Sequence, residues 1–208
     1  MSFITFEGPE GSGKSTQIRL LAQWLREQGH DVIQTREPGG TEIGDQLRHV
    51  LHDVANTAMA STTEILLYSA SRAQLVAELI RPHLTTPNTI ILCDRYYDST
   101  LAYQGYGRGL DLNDLRTITQ FATGGLVPDL TFLLDIDVEQ GISRRIVNDE
   151  EMNRLDLEAI EFHQRVREGY HALVELEPER WVVVDADRPI STIQAELQTH
   201  LNARLHNV

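Results

Sequence analysis

The chain has 208 residues, of which 41% are hydrophobic, and this is enough apolar material for one domain with a sizeable core. Its formal net charge of −13 argues against a broad nucleic-acid-binding surface, which would need a basic stripe. The single cysteine, Cys93, excludes an internal disulfide, and no apolar run approaches the ~18 residues of a membrane span. We therefore expect a cytoplasmic protein that binds neither nucleic acid nor membrane, without a signal peptide because the first strand begins at once.

Short apolar runs alternate with helical stretches along the chain. The runs predict β-strands over residues 2–6, 31–35, 89–93, 130–135 and 181–184. Helices are predicted over residues 15–28, from the N-cap Thr41 to Leu51, and over 61–84, 111–122, 138–147, about 157–176 and 189–205. This alternation predicts an α/β fold, with a five-stranded parallel sheet and helices on both faces, in one domain over residues 1–208.

The first predicted strand leads into a glycine-rich loop that matches the pattern G-x-x-x-x-G-K-[ST]. The loop reads Gly8-Pro9-Glu10-Gly11-Ser12-Gly13-Lys14-Ser15, and Thr16 follows it. In this pattern, backbone N–H groups cradle phosphates, the lysine reaches the β- and γ-phosphates, and the hydroxyl binds Mg²⁺. Lys14 is the only lysine among 18 basic residues, and the forked guanidinium of arginine does not suit the place of a compact ammonium. The sequence predicts a P-loop NTPase fold that binds ATP through residues 8–16, against the alternative of a glycine-rich turn with an incidental lysine.

The charged residues directly after the strands belong to the same predicted site, because ligands of such sheets bind at the carboxyl ends of the strands. Asp94 follows the third strand and is placed like the carboxylate that holds the Mg²⁺ shell in P-loop enzymes. We expect Ser15 and Asp94 to hold Mg²⁺, with Asp94 acting through water. The alternative roles for Asp94 are a helix N-cap or a partner for Arg95.

Several arginines lack an obvious local partner. Arg72 has no carboxylate three or four residues away, which excludes a local helix salt bridge. Tyr68 shares its helix face, so an aromatic ring and a bidentate donor are expected side by side, although core packing is the alternative for Tyr68. Arg48 has Asp45 three residues earlier, so a surface ion pair remains open for it.

Four motifs, in the same order along the chain, resemble those of bacterial thymidylate kinases. They are the loop from Glu7 to Ser15, R-E-P-G-G at 36–40, D-R-Y-x-x-S-x-x-A-Y-Q-G at 94–105, and N-R-L-D at 153–156. The resemblance implies a kinase that transfers the γ-phosphate of ATP to dTMP, giving ADP and dTDP for dTTP synthesis. It also implies Mg²⁺ as cofactor and a homodimer, for which the apolar-faced stretch 65–84 is a candidate surface unless it is buried in the core.

The resemblance further implies how the thymine base would be held. Tyr68 matches the ring that stacks on thymine, and Arg72 matches the arginine bonded to the thymine carbonyl. Thr100 and Gln104 match polar residues beside the base.

The sugar and phosphate of dTMP are assigned in the same way. Arg48 and Arg95 match positions that hold the 5′-phosphate, and Glu10 matches the carboxylate that meets the 3′-hydroxyl. Tyr103 matches the ring that crowds C2′ and favours deoxyribose. Glu37, within R-E-P-G-G, completes the dTMP-binding set.

One position departs from the family pattern. Some relatives carry an arginine in the phosphate loop after its carboxylate, whereas this chain has Gly11 there. A mobile lid over residues 144–156 is then expected to supply the charge, although its interior is acidic. Arg144 and Arg154 match family positions, Arg144 also as an ATP contact, and Arg145 is an additional candidate.

The catalytic set is therefore expected to be Lys14, Arg95, Arg144 and Arg154. Helix salt bridges are the alternatives for two of the lid arginines, because Asp149 lies four residues after Arg145 and Glu158 lies four after Arg154. The rival functions are a P-loop kinase for another small acceptor and a GTPase switch. The switch is disfavoured because its N-K-x-D motif needs a second lysine.

Overall fold

The computed structural model describes residues 2–147 and 153–205, and in these residues five strands form one parallel sheet. The strands are β1 (Ser2–Glu7), β2 (Asp31–Arg36), β3 (Thr89–Asp94), β4 (Leu130–Asp135) and β5 (Trp181–Asp185). Their spatial order is β2-β3-β1-β4-β5. All five predicted strands are confirmed. Four of them continue one residue beyond the predicted end, and that residue is charged in each case. Strand pairing thus extends past the apolar run that predicted the strand.

The helices alternate with the strands. They are α1 (Lys14–Glu27), α2 (Glu42–His52), α3 (Ser61–Leu75, continued by a π-helix at Val76–Ile80 and a turn at Arg81–His83), α4 (Tyr97–Thr100, continued by a π-helix at Leu101–Gly107), α5 (Leu112–Thr123), α6 (Val138–Val147), α7 (Ile160–Leu176) and α8 (Ile190–Leu205). Thr41 caps α2 as predicted, since its hydroxyl accepts from the N–H of Gly44. The structure differs from the predictions in α4, which was not foreseen, and in α7, which begins at Ile160 rather than near 157.

Successive residues of β1 point to opposite faces of the sheet, as the pleat requires. Ile4 packs with Leu21 of α1 and Leu197 of α8 on one face. Phe3 packs with Leu75 of α3 on the other, where α4, α5 and α7 form a further apolar cluster. Helices therefore cover both faces, which confirms the predicted α/β architecture. No helix in residues 2–147 and 153–205 is both long and apolar enough to cross a membrane.

The register of the sheet brings the charged strand ends together. Phe6, two residues before the glycine-rich loop begins, pairs with Asp94 of β3, and Arg36 of β2 pairs with the same residue. The loop after β1, the R-E-P-G-G segment and the D-R-Y segment thus open onto one edge of the sheet.

Candidate active site

A cleft of about 640 Å³ lies at this edge, between the phosphate loop, the end of β2, α3, α4 and the segments that carry Arg144 and Ile190. Most of the predicted site residues line it. They are Glu10, Gly11, Ser12, Gly13, Lys14, Ser15, Thr16, Glu37, Arg48, Tyr68, Arg72, Asp94, Arg95, Thr100, Tyr103, Gln104 and Arg144. Gly8, Pro9 and Arg154 are not part of this lining. Arg145, the additional lid candidate, also lines it. His52, Ser99 and Arg188 line it without having been predicted as site residues.

Lys14 is buried at the base of the phosphate loop. Its Nζ donates to the carbonyl oxygens of Gly8 (3.1 Å) and Pro9 (2.8 Å) and to Oγ of Ser12 (3.2 Å). Gly8 and Pro9, which do not line the cleft, thus hold the Lys14 ammonium through their carbonyl groups. Burial, assisted by the nearby Arg95 guanidinium, lowers the pKa of Lys14 to about 8. The first turn of α1 starts at this lysine without a side-chain cap, which leaves its N–H groups to an anion.

The phosphate loop meets α6 backbone to backbone. A methyl group added at Gly11 would lie 2.0 Å from the carbonyl oxygen of Gly141, and one at Gly141 would lie 2.2 Å from the carbonyl oxygen of Glu10. A side chain at position 11 therefore does not fit without a shift of α6. One turn beyond Gly141, Nη1 of Arg145 lies 3.3 Å from Oε2 of Glu10. In this chain, α6 brings a guanidinium to the loop that lacks its own arginine.

We predict that Gly11→Ala lowers the free energy of unfolding by at least about 1 kcal/mol more than Gly13→Ala, because only the first substitution pushes a methyl group into backbone atoms. Both glycines have a positive φ, +70° and +84°, but a methyl group at Gly13 would meet nothing within 4 Å. Urea unfolding of the two variants measures the difference. Equal losses would show that the contact between Gly11 and Gly141 carries no packing constraint.

Ser15 and Asp94 form a pair of oxygen donors facing the cleft. Oγ of Ser15 donates to Oδ2 of Asp94 at 2.8 Å. Hydroxyl and carboxylate oxygens suit Mg²⁺, which usually keeps several waters and is completed by substrate phosphates rather than by an all-protein cage. In the described residues, no group of three or more His, Cys, Asp or Glu side chains is placed to hold a metal. The residues present fit a magnesium ion shared with a phosphate chain.

Arg95 is the centre of a second charged group. It has a positive φ of +68°, and its Nη2 lies 2.7 Å from Oε1 of Glu10. Tyr103 donates to the same carboxylate oxygen at 2.9 Å, and the Arg95 guanidinium stacks 5.0 Å from the centre of the Tyr103 ring. Burial would raise the pKa of Glu10, but Arg95, Lys14 and Arg145 outweigh it and lower the pKa to about 2. Glu10 is therefore ionised and can only accept hydrogen bonds.

Glu7 supports Arg95 from the end of β1 and was not predicted as a site residue. This fully buried carboxylate accepts from Oγ of Ser99 (2.5 Å), the hydroxyl of Tyr170 (2.9 Å) and the N–H of Tyr96 (2.7 Å). Ser99 and Tyr170 in turn accept from Nη1 of Arg95. Burial and the neighbouring Asp98 raise the pKa of Glu7 to about 7. The sequence indicates Glu7 only as a carboxylate at the end of a largely apolar strand.

Arg72 lines the cleft and is 1% exposed. Its Nε donates to Oε2 of Glu37 at 2.8 Å, and its Nη2 donates to Oγ1 of Thr100 at 3.0 Å. Among the described residues, Nη1 of Arg72 and Oε1 of Glu37 are buried without a hydrogen-bond partner. Tyr68, one helical turn earlier, both lines the cleft and packs against the apolar cluster around α7. A buried, unused donor beside an aromatic ring suits a planar ligand that carries an acceptor.

Arg48 does not form the surface pair that its sequence spacing allowed. Asp45 instead pairs with Arg36, with 3.0 Å between Oδ1 and Nη2. Nη1 of Arg48 donates to the carbonyl oxygen of Pro38 at 3.0 Å, and the side chain lines the cleft. Its position leaves the rest of the guanidinium fork to a ligand.

The three arginines in the described part of the lid lie in three different places. Arg144 donates to the carbonyl oxygen of Ala186 (2.8 Å) and to Asp187 (2.7 Å) at the rim of the cleft. Arg145 binds Glu10 and Asp156. Arg154 donates to Glu64 and to the carbonyl oxygen of Leu51, outside the cleft lining.

Of the two helix salt bridges considered for the lid, one is not formed and the other involves a residue outside the described part of the chain. Glu158 pairs with Arg108, at 2.8 Å, and not with Arg154. Asp149, the other potential partner, lies outside the described residues, as does the lid interior over 148–152.

Comparison with known proteins identifies the family of this chain. The family model described as "Thymidylate kinase" matches residues 6–197. A thymidylate kinase of Roseiflexus castenholzii is 55% identical over 207 residues, which cover 94% of this chain and 90% of the relative. One of Geotalea uraniireducens is 50% identical over 208 residues, covering 98% and 97%. The crystal structure of thymidylate kinase from Ehrlichia chaffeensis superposes with a TM-score of 0.79 at 33% identity, covering 96% of this chain and 98% of that one. The chain belongs to the thymidylate kinase family and is a kinase with a P-loop NTPase fold.

Proposed function

We propose that the chain transfers the γ-phosphate of ATP to dTMP, giving dTDP and ADP for dTTP synthesis. The observation that supports this most directly is that one cleft is lined both by the phosphate loop and by Tyr68 and Arg72, whose Nη1 donor is buried without a partner. Arg48 and Arg95 lie in the same cleft and suit a phosphate on the acceptor. A kinase for a neutral alcohol would have no use for that second cationic group.

The chemistry needs no general base. A phosphate monoester has its second pKa at about 6, so dTMP is an anionic nucleophile at neutral pH. The difficulty is to bring two anions together and to neutralise the transferred group. Glu10, with its pKa lowered to about 2, would not take up a proton and instead would accept a hydrogen bond from the 3′-hydroxyl. Tyr103, held against Glu10, would crowd C2′ of the sugar.

ATP would occupy the phosphate loop, with its phosphates on Lys14 and the N-terminus of α1 and with Arg144 at the rim. Ser15 and Asp94 would hold Mg²⁺, Asp94 through water. When bound, the ion would neutralise charge on the β- and γ-phosphates. The protein groups orient the phosphate chain and exclude alternative positions for it.

A homodimer and a cytoplasmic location also remain proposals. In the stretch 65–84, Ile65, Leu75, Val76 and Ile80 are buried in the core, whereas Leu66 is exposed. Leu66 on α3, together with Ile43 and Val50 on α2, offers exposed apolar side chains for a dimer surface. Sedimentation velocity of the purified protein gives the oligomeric state directly.

The experiment that tests the function measures ADP release from Mg-ATP with dTMP, dUMP, ribosyl TMP, dCMP, AMP, UMP and thymidine. We expect dTMP to lead, thymidine to be silent and the ribose form to be poor. Some activity with dUMP is expected, because the 5-methyl group is worth only about 1–3 kcal/mol. Fastest turnover of another monophosphate would leave the phosphate chemistry intact and overturn the proposed acceptor.

We predict that Arg154→Ala lowers kcat about 10²-fold or more, since it would remove a cation that neutralises the transferred phosphate. The free energy of unfolding should change little, because Glu64 keeps its bidentate contact with Arg108. Steady-state kinetics and urea unfolding of the purified variant measure both. Because Arg154 lies outside the cleft lining, this role requires the lid to rearrange around bound substrates.

Arg145→Ala is the matched comparison, because Arg145 already lines the cleft and contacts Glu10. Turnover near wild type in Arg154→Ala, together with a large loss in Arg145→Ala, would transfer the proposed role from the first arginine to the second.

A further inference from the structure

Glu64 is a buried carboxylate that contacts Gln104 of the cleft lining, and the mechanism above does not use it. It lies on α3 one turn before Tyr68 and is 1% exposed. Its Oε1 accepts from Nε2 of Gln104 (2.8 Å) and from Nε of Arg108 (2.7 Å). Its Oε2 accepts from Nη2 of Arg108 (3.0 Å) and from Arg154. Four donors from three side chains thus converge on one buried carboxylate.

These donors keep Glu64 ionised. Burial would raise its pKa, but the hydrogen bonds from Arg108, Gln104 and Arg154 outweigh burial and lower it. An ionised carboxylate has only acceptor sites. The amide of Gln104 must therefore turn its NH₂ group, and not its carbonyl oxygen, towards Glu64.

This orientation fixes what Gln104 can offer to a ligand. Gln104 lines the cleft, and its NH₂ group is engaged by Glu64. The carbonyl oxygen is the end of the amide that is left for a base. Arg108 holds Glu64 through both arms of its guanidinium and also binds Glu158, so the carboxylate keeps its position without help from Gln104.

The cleft then presents a donor and an acceptor that match one kind of pyrimidine. Arg72 offers the unused Nη1–H, and Gln104 offers its carbonyl oxygen. Thymine and uracil carry the complementary pair, an O4 acceptor and an N3–H donor. Cytosine carries the reverse pair, an N4 amino donor and an N3 acceptor. A reversed base would leave buried polar groups unsatisfied in the protein and in the ligand.

We propose that Glu64 is a positioning residue that sets base selectivity: by accepting the NH₂ group of Gln104, it commits the site to a base with an N3–H and against cytosine. The proposal deepens the function above and rests on it for the assignment of dTMP as ligand. Glu64 is not part of the cleft lining, and it acts on base selectivity through Gln104. A purely structural role would predict equal losses for all bases.

The test compares dissociation constants for dTMP and dCMP, measured by calorimetry without ATP, in three proteins. Glu64→Gln allows the Gln104 amide to turn over, because a neutral amide can donate as well as accept. The matched control is Arg108→Gln, which removes two contacts to Glu64 but keeps its carboxylate for Gln104. We expect the preference of the unaltered protein for dTMP over dCMP to fall about tenfold or more in Glu64→Gln. In Arg108→Gln the preference for dTMP over dCMP should stay within about threefold of the preference in the unaltered protein.

An unchanged preference in Glu64→Gln, with affinity for both ligands reduced alike, would overturn the proposal. If that variant does not fold, binding of N3-methyl dTMP to the unaltered protein decides the matter. Binding about tenfold or more weaker than that of dTMP supports the proposal, and equal binding overturns it. These measurements omit ATP, so they test the role of Glu64 in base selectivity separately from the proposed phosphate transfer. A protein that selects dTMP but transfers no phosphate would refute only the proposed transfer.

Discussion

Lys14→Met is expected to lower kcat about 10²- to 10³-fold, the loss typical of removing one group that stabilises developing charge. The ammonium lies buried in a niche formed by the carbonyl groups of Gly8 and Pro9 and the hydroxyl of Ser12. Lys14→Arg keeps the positive charge, yet we expect a similar loss, because a planar fork does not fit where a compact ammonium has three acceptors around it. ADP release with saturating Mg-ATP and dTMP measures both variants.

The control is Arg116→Met, which removes one positive charge from an exposed position on α5. It should leave kcat unchanged. Substantial turnover in Lys14→Arg would show that charge alone, and not the shape of the niche, is required.

The same lysine predicts a pH dependence. Burial, together with Arg95, lowers the pKa of Lys14 to about 8, so the ammonium loses its proton well below the ordinary lysine range. We expect kcat/KM for ATP to fall as the pH rises through about 8, since this parameter reports the free enzyme. In Lys14→Arg this basic limb should disappear, because arginine stays protonated throughout.

The strands and the phosphate loop could be predicted because their signals are local. A continuous apolar run, a glycine pattern and a helix start all lie within about ten consecutive residues. The same holds for the family motifs, and the comparisons confirm the family and the fold that they implied. The roles of the individual site residues stay predictions, although the cleft brings most of them together.

The helix α4 could not be predicted because tertiary packing overrides its local preference. Glycines disfavour helix, and this segment contains Gly105 and Gly107. A methyl group at Gly107 would lie 2.7 Å from the ring of Phe162, and one at Gly105 would lie 2.5 Å from Leu112. The glycines are therefore needed where α4 and its π-helical continuation approach α7 and α5, which no local pattern shows.

Glu64 was missed, and the contact of the additional candidate Arg145 with Glu10 was not foreseen, for a related reason. Glu64 resembles an ordinary acidic residue in the first turn of a helix, but its donors Gln104 and Arg154 are 40 and 90 residues away in the sequence. Arg145 reaches Glu10 only because Gly11 and Gly141 allow two backbones to touch. Charge networks of this kind depend on the packing of several elements and leave no periodic trace in the sequence.

Arg72→Ala is expected to lower the free energy of unfolding by about 3–5 kcal/mol, the usual cost of leaving a buried charge without its partner. Arg72 and Glu37 are 1% and 4% exposed in their side chains, with 2.7 Å between Nη2 and Oε2. The variant should also lose measurable affinity for dTMP, because the unused Nη1 donor disappears with the guanidinium. Urea unfolding and calorimetry separate the two effects.

The double variant Arg72→Met with Glu37→Gln distinguishes structure from recognition. It removes the buried carboxylate together with its partner, so most of the lost stability should return, whereas dTMP affinity should not. Recovery of both would place thymine recognition elsewhere in the cleft.

The sign of the pH dependence gives an independent check. Burial already raises the pKa of Glu37 in the folded protein, although Arg72 opposes the shift, and removing Arg72 should raise it further. A carboxyl group whose pKa is higher in the folded than in the unfolded state binds its proton more readily when folded, so it favours the folded state increasingly as the pH falls. The stability deficit of Arg72→Ala should therefore shrink as the pH is lowered from neutral towards the unfolded-state pKa of Glu37, near the ordinary glutamate value of 4.5. A deficit that stays constant over this range would mean that the ionised carboxylate is not what Arg72 compensates.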